Sequence, residues 1–573
     1  MEEHKIGVYI CWCGSNIAQI VDVEAVSEKV RMIPGVIVSK DYKYMCSDPG
    51  QDMIVNDINK YGLNRIVIAA CSPRMHEPTF RKVMMHAGLN PYRFEMVNIR
   101  EQDSWVHTDK KQATEKAFFL IAGAIKRVVL HEELDKQYVD INPATLIIGA
   151  GIAGISAALE IADAGKQVFL IEKEDRIGGN LLYVDLTYPY FNSALQLLRD
   201  KIRVINNHKN IQVFLKAEVK KFSGYIGNFE AVISAENKKE TSLSFGNVII
   251  ATGLKPFDPS PIKEYGYMKL PDVITSQEFE KMLQSGSITT GKGQKPENVA
   301  IIHCVGSRNK YYHEYCSRIC CMVAIKFAFQ LRKALPDADI FEIYSDLRAF
   351  GKGCEELYAT ACEKNIILLR FDQQHDLPVI SQKHDDHDKM MISFHEKLSG
   401  EDIVIPADLV ILMVALEGRE DVLQLARLTG INICNNNFFI ERHPKLDPVA
   451  TNTEGIYIAG TCQSPKDIPD TINQAKATAA RILASICVKK VEIEVTTAVV
   501  NENICCGCMT CVSVCPYHAI SFDADKKVSC VNEVLCKGCG TCGAACPTGA
   551  IKCKHFTDKQ IMAQIEGIIN SEY

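Results

Sequence analysis

No apolar run in the 573-residue chain approaches the roughly 18 residues needed to cross a bilayer; the longest, Leu409 to Leu416, suits a buried strand. The opening residues, MEEHKIGVYICWC, lack the basic segment and long apolar stretch of a secretory leader, so a cytoplasmic location is expected. Lys and Arg are scattered and the net charge is −6, which offers no basic face to a nucleic acid. Low-complexity tracts are missing as well. What remains is ordinary globular material, at a length that calls for three or four domains. Cysteine is the exception. The chain has 24, and without a leader they stay reduced, which excludes a disulfide framework and points to metal binding.

Four stretches separate along the chain. Residues 1–135 alternate apolar strands (IGVYI, NRIVIAA) with helical segments such as Thr114 to Leu130. The charged connector HEELDKQYVD leads into a region 136–495 whose strand–glycine–helix unit begins at Ala144. A second α/β stretch, 256–449, interrupts that region, and residues 496–573 carry the densest cysteines.

In that last stretch Cys505, Cys508, Cys511 and Cys515 follow C-x2-C-x2-C-x3-C with Pro516 next; Cys536, Cys539, Cys542 and Cys546 repeat it before Pro547. This is the two-cluster ferredoxin spacing, in which each run gives three thiolates to one 4Fe–4S cubane and its fourth to the other. One cluster is therefore assigned to Cys505, Cys508, Cys511 and Cys546, the other to Cys536, Cys539, Cys542 and Cys515. Paired zinc sites prefer two CxxC pairs separated by a longer gap. Cys506 and Cys530 are left over as structural.

The segment LIIGAGIAGISAALEIADAGKQVFLIEKEDRIGGN reads as strand, glycine turn, helix, strand. Gly149 makes the tight turn, Gly151 admits a pyrophosphate, and Gly154 lets the helix pack on the strand. The helix N-terminus holds the phosphate, and Glu172 is placed to bind ribose hydroxyls, with Lys173, Gly179 and Asn180 following as further contacts. FAD is favoured over NAD by NVIIATGLKPF, with Thr252 and Gly253, and by GIYIAGTCQSPKDIPDTINQA, around Gly460 and Thr461, which resemble the second and third flavoprotein fingerprints. Thr461 stands where many such proteins carry Asp.

A second glycine turn, which in the thioredoxin reductase type opens the inserted domain and binds NAD(P)H, is missing. The strand NVAIIHCVGS is there, but Cys304, Cys316, Cys320 and Cys321 follow in its place. They read either as a third cluster at C-x11-C-x3-C-C or as buried apolar thiols. In the N-terminal stretch Cys11, Cys13, Cys46 and Cys71 sit at strand ends, which converge on one crevice in a parallel sheet. They read either as ligands of a fourth cluster or as core cysteines. Arg74, His76, Glu77, Arg100, Glu101, Gln102 and Asp103 flank that edge and are read as loop-fixing or partner-docking groups.

With these motifs, the stretches CWCGSNIA, YMCSDPGQ, AACSPRMHEPTFR, HCVGSRN, YCSRICCMVA, RAFGKGCEELY and SPKDIPDTINQA make the chain resemble the A-type subunit of heterodisulfide reductase over its whole length. The resemblance implies an α/β protein: a Rossmann-like FAD domain of thioredoxin reductase type with an inserted α/β domain, an N-terminal α/β domain and a C-terminal two-cluster ferredoxin domain. It implies an oxidoreductase whose FAD splits electron pairs, with a non-standard cluster at the Cys304 motif. It also implies partners: B- and C-type subunits, a hydrogenase, formate dehydrogenase or NADH-oxidising donor module, and ferredoxin, in a complex holding a homodimer of this chain. Lys466, in SPKDIPD, is placed by the resemblance near the reactive part of the flavin ring. Long members carry a further ferredoxin insert, whereas Phe257 to Asn298 contains no cysteine here. A plain electron conduit is the alternative function. A free-standing NAD(P)H reductase is disfavoured by the missing glycine turn and by the lack of a redox CxxC in the insertion.

Overall fold

The computed structural model describes residues 3–235, 240–373, 376–382 and 389–569, without the side chain of Arg74. The chain forms two compact units, Val139–Val491 and a discontinuous one of Met1–Tyr138 with Glu492–Tyr573.

In the first of these, a five-stranded parallel sheet runs in the order Ile456–Ile458, Asn247–Ile250, Thr145–Ile148, Val168–Ile171, Ile211–Phe214. Strands covered on both faces must be apolar throughout, and Thr145–Ile148 and Asn247–Ile250 are buried at every position. On one face the helices Ile152–Asp163 and Ile468–Val488 pack through small residues, among them Ala157, Ala158, Ala475 and Ala479. The other face is closed by an antiparallel sheet of Glu218–Tyr225, Asn228–Ser234 and Glu240–Phe245. Its period-two pattern turns Phe229, Ala231 and Ile233 inward.

The chain leaves at Lys255–Pro256 and returns at Leu416–Glu417, the two segments pairing antiparallel. Between them lies a parallel sheet in the order Val273–Thr275, Leu409–Val414, Asn298–Val305, Asp339–Tyr344, Ile367–Arg370, with an antiparallel sheet of Val379–Gln382, Met390–Glu396 and Glu401–Ala407. The apolar run expected to be a buried strand is Leu409–Val414, central in its sheet and buried throughout. The insertion ends at this return rather than at 449. From Val422 onward Val422, Ala426, Ile431 and Phe439 pack against the flavin-domain sheet.

In the other unit, four parallel strands run Val36–Tyr42, Ile6–Cys11, Arg65–Ala70, Phe94–Asn98. The helices Val23–Val30 and Lys110–Val128 cover one face, and Asp48–Tyr61 and Pro73–His86 the other. Ala498–Val500 pairs with Ile551–Cys553, and Ile520–Asp523 with Val528–Val531. The final helix, Asp558–Ile569, lies against Lys110–Val128 at a glycine pair. A Cβ on Gly567 would stand 2.8 Å from Gly123 Cα, too close for any side chain. Arg127 reinforces the contact by pairing with Glu95 at 2.9 Å and donating to the His555 carbonyl at 2.9 Å, while the His131 and His555 rings stack at 4.3 Å.

Candidate functional site

A cavity of about 1570 Å³ opens along the carboxyl ends of Thr145–Ile148, Val168–Ile171 and Asn247–Ile250. It exceeds the roughly 300–1,000 Å³ of drug-sized pockets and has room for a dinucleotide. Its floor is the glycine turn. Gly149, at φ +104°, could not carry a Cβ, which would meet Ala251 O at 2.4 Å; a Cβ on Gly154 would stand 1.9 Å from Gly149 O. At Gly151 the nearest atom to such a Cβ is Gly179 Cα at 4.0 Å, so the backbone there lies open to a ligand. Free N–H groups at the start of Ile152–Asp163 point to the same place.

Glu172 lines the cavity and also stiffens the turn: its Oε2 accepts from Ala150 N–H at 2.8 Å and its Oε1 from Glu174 N–H at 3.0 Å. Lys173, on the rim, pairs with Glu218 at 3.2 Å and Asp421 at 3.3 Å. Gly179 begins a short 3-10 turn at φ +57°, and Asn180 Nδ2 donates to Leu254 O at 3.0 Å. Thr252, Gly253 and Thr461 line the opposite side. The Thr252 hydroxyl is buried and has no hydrogen-bond partner among the described residues, an open position for a ligand. Gly460 takes φ +81°, and its N–H donates to Gln474 Oε1 at 2.8 Å. An open glycine floor, a carboxylate at the second strand and a buried unmatched hydroxyl fit FAD.

Lys466 is not on the surface. It is 8% exposed, lines the cavity, and donates to Gly460 O at 2.8 Å and Gln463 Oε1 at 3.0 Å. An ammonium has three donors, so one remains for the cavity. Burial lowers its pKa.

The inserted strand Asn298–Val305 ends not in a glycine turn but in thiols. Cys304 takes φ +59° and is buried with Cys320 and Cys321, which open the helix Cys320–Ala334. Cys320 is hydrogen-bonded to both Cys304 and Cys321, which lowers the pKa of those two thiols and raises that of Cys320 itself. Burial pulls His303 down, but its bonds to Cys321 and Glu342 carry it up to about 10. Cys316 sits in the preceding loop, its sulfur accepting from Arg318 N–H at 3.3 Å. Arg318, Val323 and Lys326, from the loop and helix bearing these thiols, line the flavin cavity.

At the N-terminal sheet Cys11, Cys13, Cys46 and Cys71 gather at the strand ends in one apolar cluster. The Cys11 sulfur accepts from Cys13 N–H at 3.3 Å and Met45 N–H at 3.4 Å, and Arg100 Nη1 lies 3.2 Å from the Cys13 sulfur. Burial pushes Cys71 up to about 12 and raises Cys11 and Cys46. Arg100 is itself tied to Glu101 at 2.5 Å, Glu77 pairs with Arg81, the Gln102 carbonyl accepts from Lys116, and Asp103 lies 3.3 Å from His107. The Arg74 side chain lies outside the described residues.

In the C-terminal stretch Cys515, Cys536, Cys539 and Cys542 line one small cavity. Ala519 N–H donates to the Cys515 sulfur at 3.3 Å and Ala498 N–H to the Cys536 sulfur at 3.4 Å. Of the other set, Cys511 and Cys546 share the apolar cluster around it, while Cys505 and Cys508 lie nearer the surface, with Cys506 beside Cys508. Cys530 sits in Val528–Val531. Soft thiol donors with backbone N–H groups aimed at sulfur fit iron–sulfur clusters. Among the described residues no three or more His, Cys, Asp or Glu side chains are grouped so as to hold a metal ion.

Three features escaped the sequence reading. Cys354, in RAFGKGCEELY, lines the flavin cavity. So do Lys326 and Glu280, a buried ion pair on two helices of unremarked pattern. Cys553 is buried beside the Cys536 and Cys542 sulfurs, outside any ligand spacing.

Residues 143–306 match the pyridine nucleotide-disulphide oxidoreductase family and residues 504–550 the 4Fe-4S dicluster domain. The A-type subunit of the H(2):CoB-CoM heterodisulfide,ferredoxin reductase of Methanothermobacter marburgensis is 39% identical, over all of this chain and 98% of that protein. Its counterpart in the H(2)/formate:CoB-CoM heterodisulfide,ferredoxin reductase of Methanococcus maripaludis is 36% identical, over 100% of this chain and 99% of that one. Among solved structures, T. acidophilum thioredoxin reductase matches 60% of this chain and 99% of its own, with 17% identity and a TM-score of 0.42.

Proposed function

The chain belongs to the family of heterodisulfide reductase A-type subunits, and on that premise we propose that it divides or merges electron pairs within a multi-subunit complex. Its partners there are a donor module (hydrogenase, formate dehydrogenase or NADH-oxidising), B- and C-type subunits, a low-potential ferredoxin and a disulfide- or quinone-linked acceptor. That it is a flavin and 4Fe–4S electron-transfer oxidoreductase follows from the family and the two domain matches. FAD, when bound, supplies exchange of electrons singly or in pairs.

One observation carries the reading: Cys304, Cys320 and Cys321 stand where the second glycine turn is expected, and the helix that Cys320 and Cys321 open places Val323, Lys326 and Phe327 in the lining of the flavin cavity. Thiols in that position favour one-electron traffic through a cluster over hydride delivery from a nicotinamide. Four clusters follow from this reading: two in the C-terminal domain, a third at Cys304, Cys316, Cys320 and Cys321, and a fourth at Cys11, Cys13, Cys46 and Cys71. Cys316, in the loop that precedes the helix, would be the fourth ligand of the third set. Glu172 and the glycine turn orient the adenosine half of FAD. Lys466, held by Gly460 O and Gln463, directs its remaining N–H into the cavity, where it stabilises negative charge.

Steady-state turnover of the assembled complex tests the reading. Ferredoxin reduction should require the disulfide- or quinone-linked acceptor and proceed one electron to each. Ferredoxin reduction at an equal rate without that acceptor would establish the plain conduit instead.

A further inference from the structure

A fifth thiol, Cys553, lies beside the second ferredoxin site. Cys553 closes the strand Ile551–Cys553, where it pairs with Ala498, the residue whose N–H donates to the Cys536 sulfur. The short helix Thr541–Ala545, which carries Cys542, packs on that strand. Cys553 is 6% exposed and shares an apolar cluster with Cys536 and Cys542. Cys536, Cys539 and the backbone of Gly540, inside the ligand loop, all lie within electrostatic reach of its sulfur. The two outermost thiols contrast sharply: Cys539 is exposed, Cys553 buried.

We propose that Cys553 is a reserve ligand of the cluster held by Cys515, Cys536, Cys539 and Cys542, able to take the iron that Cys539 releases. The exchange is redox-neutral. The Fe–S bond to Cys539 breaks, one from Cys553 forms, and the Cys553 proton passes to the departing Cys539 thiolate, directly or through water. Two structural features make it feasible: Gly540, at φ +78° with open space around it, lets the loop shift, and the Ala498 ladder holds Cys553 in place. The proposal rests on the cluster assignment above.

Anaerobically reconstituted full-length variants separate the two claims. Cys515→Ala, which has no spare thiol argued for it, tests the assignment by losing up to about four irons. Cys539→Ala should keep the wild-type iron count, with altered EPR g-values from the changed ligand. Cys539→Ala/Cys553→Ala should lose up to about four irons, or stop at a three-iron form. Cys553→Ala alone should keep all its iron. FAD content and the EPR signal of the other cluster report folding in each case. If Cys539→Ala loses as much iron as the double variant while FAD and the other cluster persist, Cys553 is not a ligand. If all variants including Cys515→Ala retain full iron, the cluster assignment itself fails.

Discussion

Replacing Lys326 by Met should destabilise the flavin unit strongly at pH 7 and much less at pH 5. Lys326, 1% exposed, pairs with Glu280 and donates to Leu186 O at 3.1 Å, while Glu280 Oε2 accepts from Asp185 N–H at 3.0 Å. Burial pushes Glu280 up and Lys326 down, and their attraction opposes both shifts. Without Lys326 the carboxylate is buried and unpaired, and it escapes by taking up a proton. From an ordinary value of 4.5 that costs about 3 kcal/mol at pH 7 and under about 1 kcal/mol at pH 5. The Leu186 carbonyl left without its donor adds about 1 kcal/mol at either pH. The total is about 4 kcal/mol at pH 7, within the range for breaking a buried pair, and about 2 kcal/mol at pH 5. The sign follows from linkage. In the variant the folded state holds a proton that the unfolded state gives up above 4.5, so stability falls as pH rises from 4.5 to 7. Urea titrations followed by flavin release, compared with the parent at each pH, measure the difference. Lys326→Met/Glu280→Gln should recover most of the loss at pH 7. Equal destabilisation at both pH values, or no recovery in the double variant, refutes the reasoning.

Cys320→Ser/Cys321→Ser should remove about four irons and leave FAD bound; an unchanged iron count makes those cysteines structural. Gly154→Ala should abolish flavin retention, since its Cβ would stand 1.9 Å from a backbone oxygen, and the visible flavin absorbance of the purified protein checks this. NADH and NADPH should leave the flavin of the isolated chain oxidised while dithionite bleaches it, and rapid stoichiometric bleaching by NADPH would count against a thiol site in the insertion. Lys466→Met should preserve FAD and iron but shift the flavin potentials in anaerobic spectroelectrochemistry, and unchanged potentials would remove Lys466 from the flavin's surroundings.

Features encoded in short stretches were legible in the sequence. Gly149, Gly151 and Gly154 announce their turn because the steric demand is local, and the Cys505 and Cys536 runs announce themselves by spacing alone. Features that depend on strand register or on the meeting of distant helices were not. Glu280 and Lys326 sit 46 residues apart on helices that read as ordinary amphipathic segments. Cys553 needs the pairing with Ala498 before it has a neighbour at all. The end of the insertion was placed too late because Val422–Thr429 has the same apolar periodicity as an insertion helix, and only its packing assigns it to the flavin core. Lys466 was placed near the flavin by the family resemblance alone, because nothing in SPKDIPD reveals that Gly460 and Gln463 turn back to hold it.

The glycine pair between Lys110–Val128 and Asp558–Ile569 has a consequence during synthesis. Arg127 leaves the ribosome with no partner at position 555, which is 428 residues downstream. At roughly 5–20 residues per second the wait is about 20 to 90 s. Throughout that interval Gly123 lacks the helix that packs on it in the finished chain. Residues 1–138 are thus completed by residues 492–569, and the flavin unit is synthesised in full between the two.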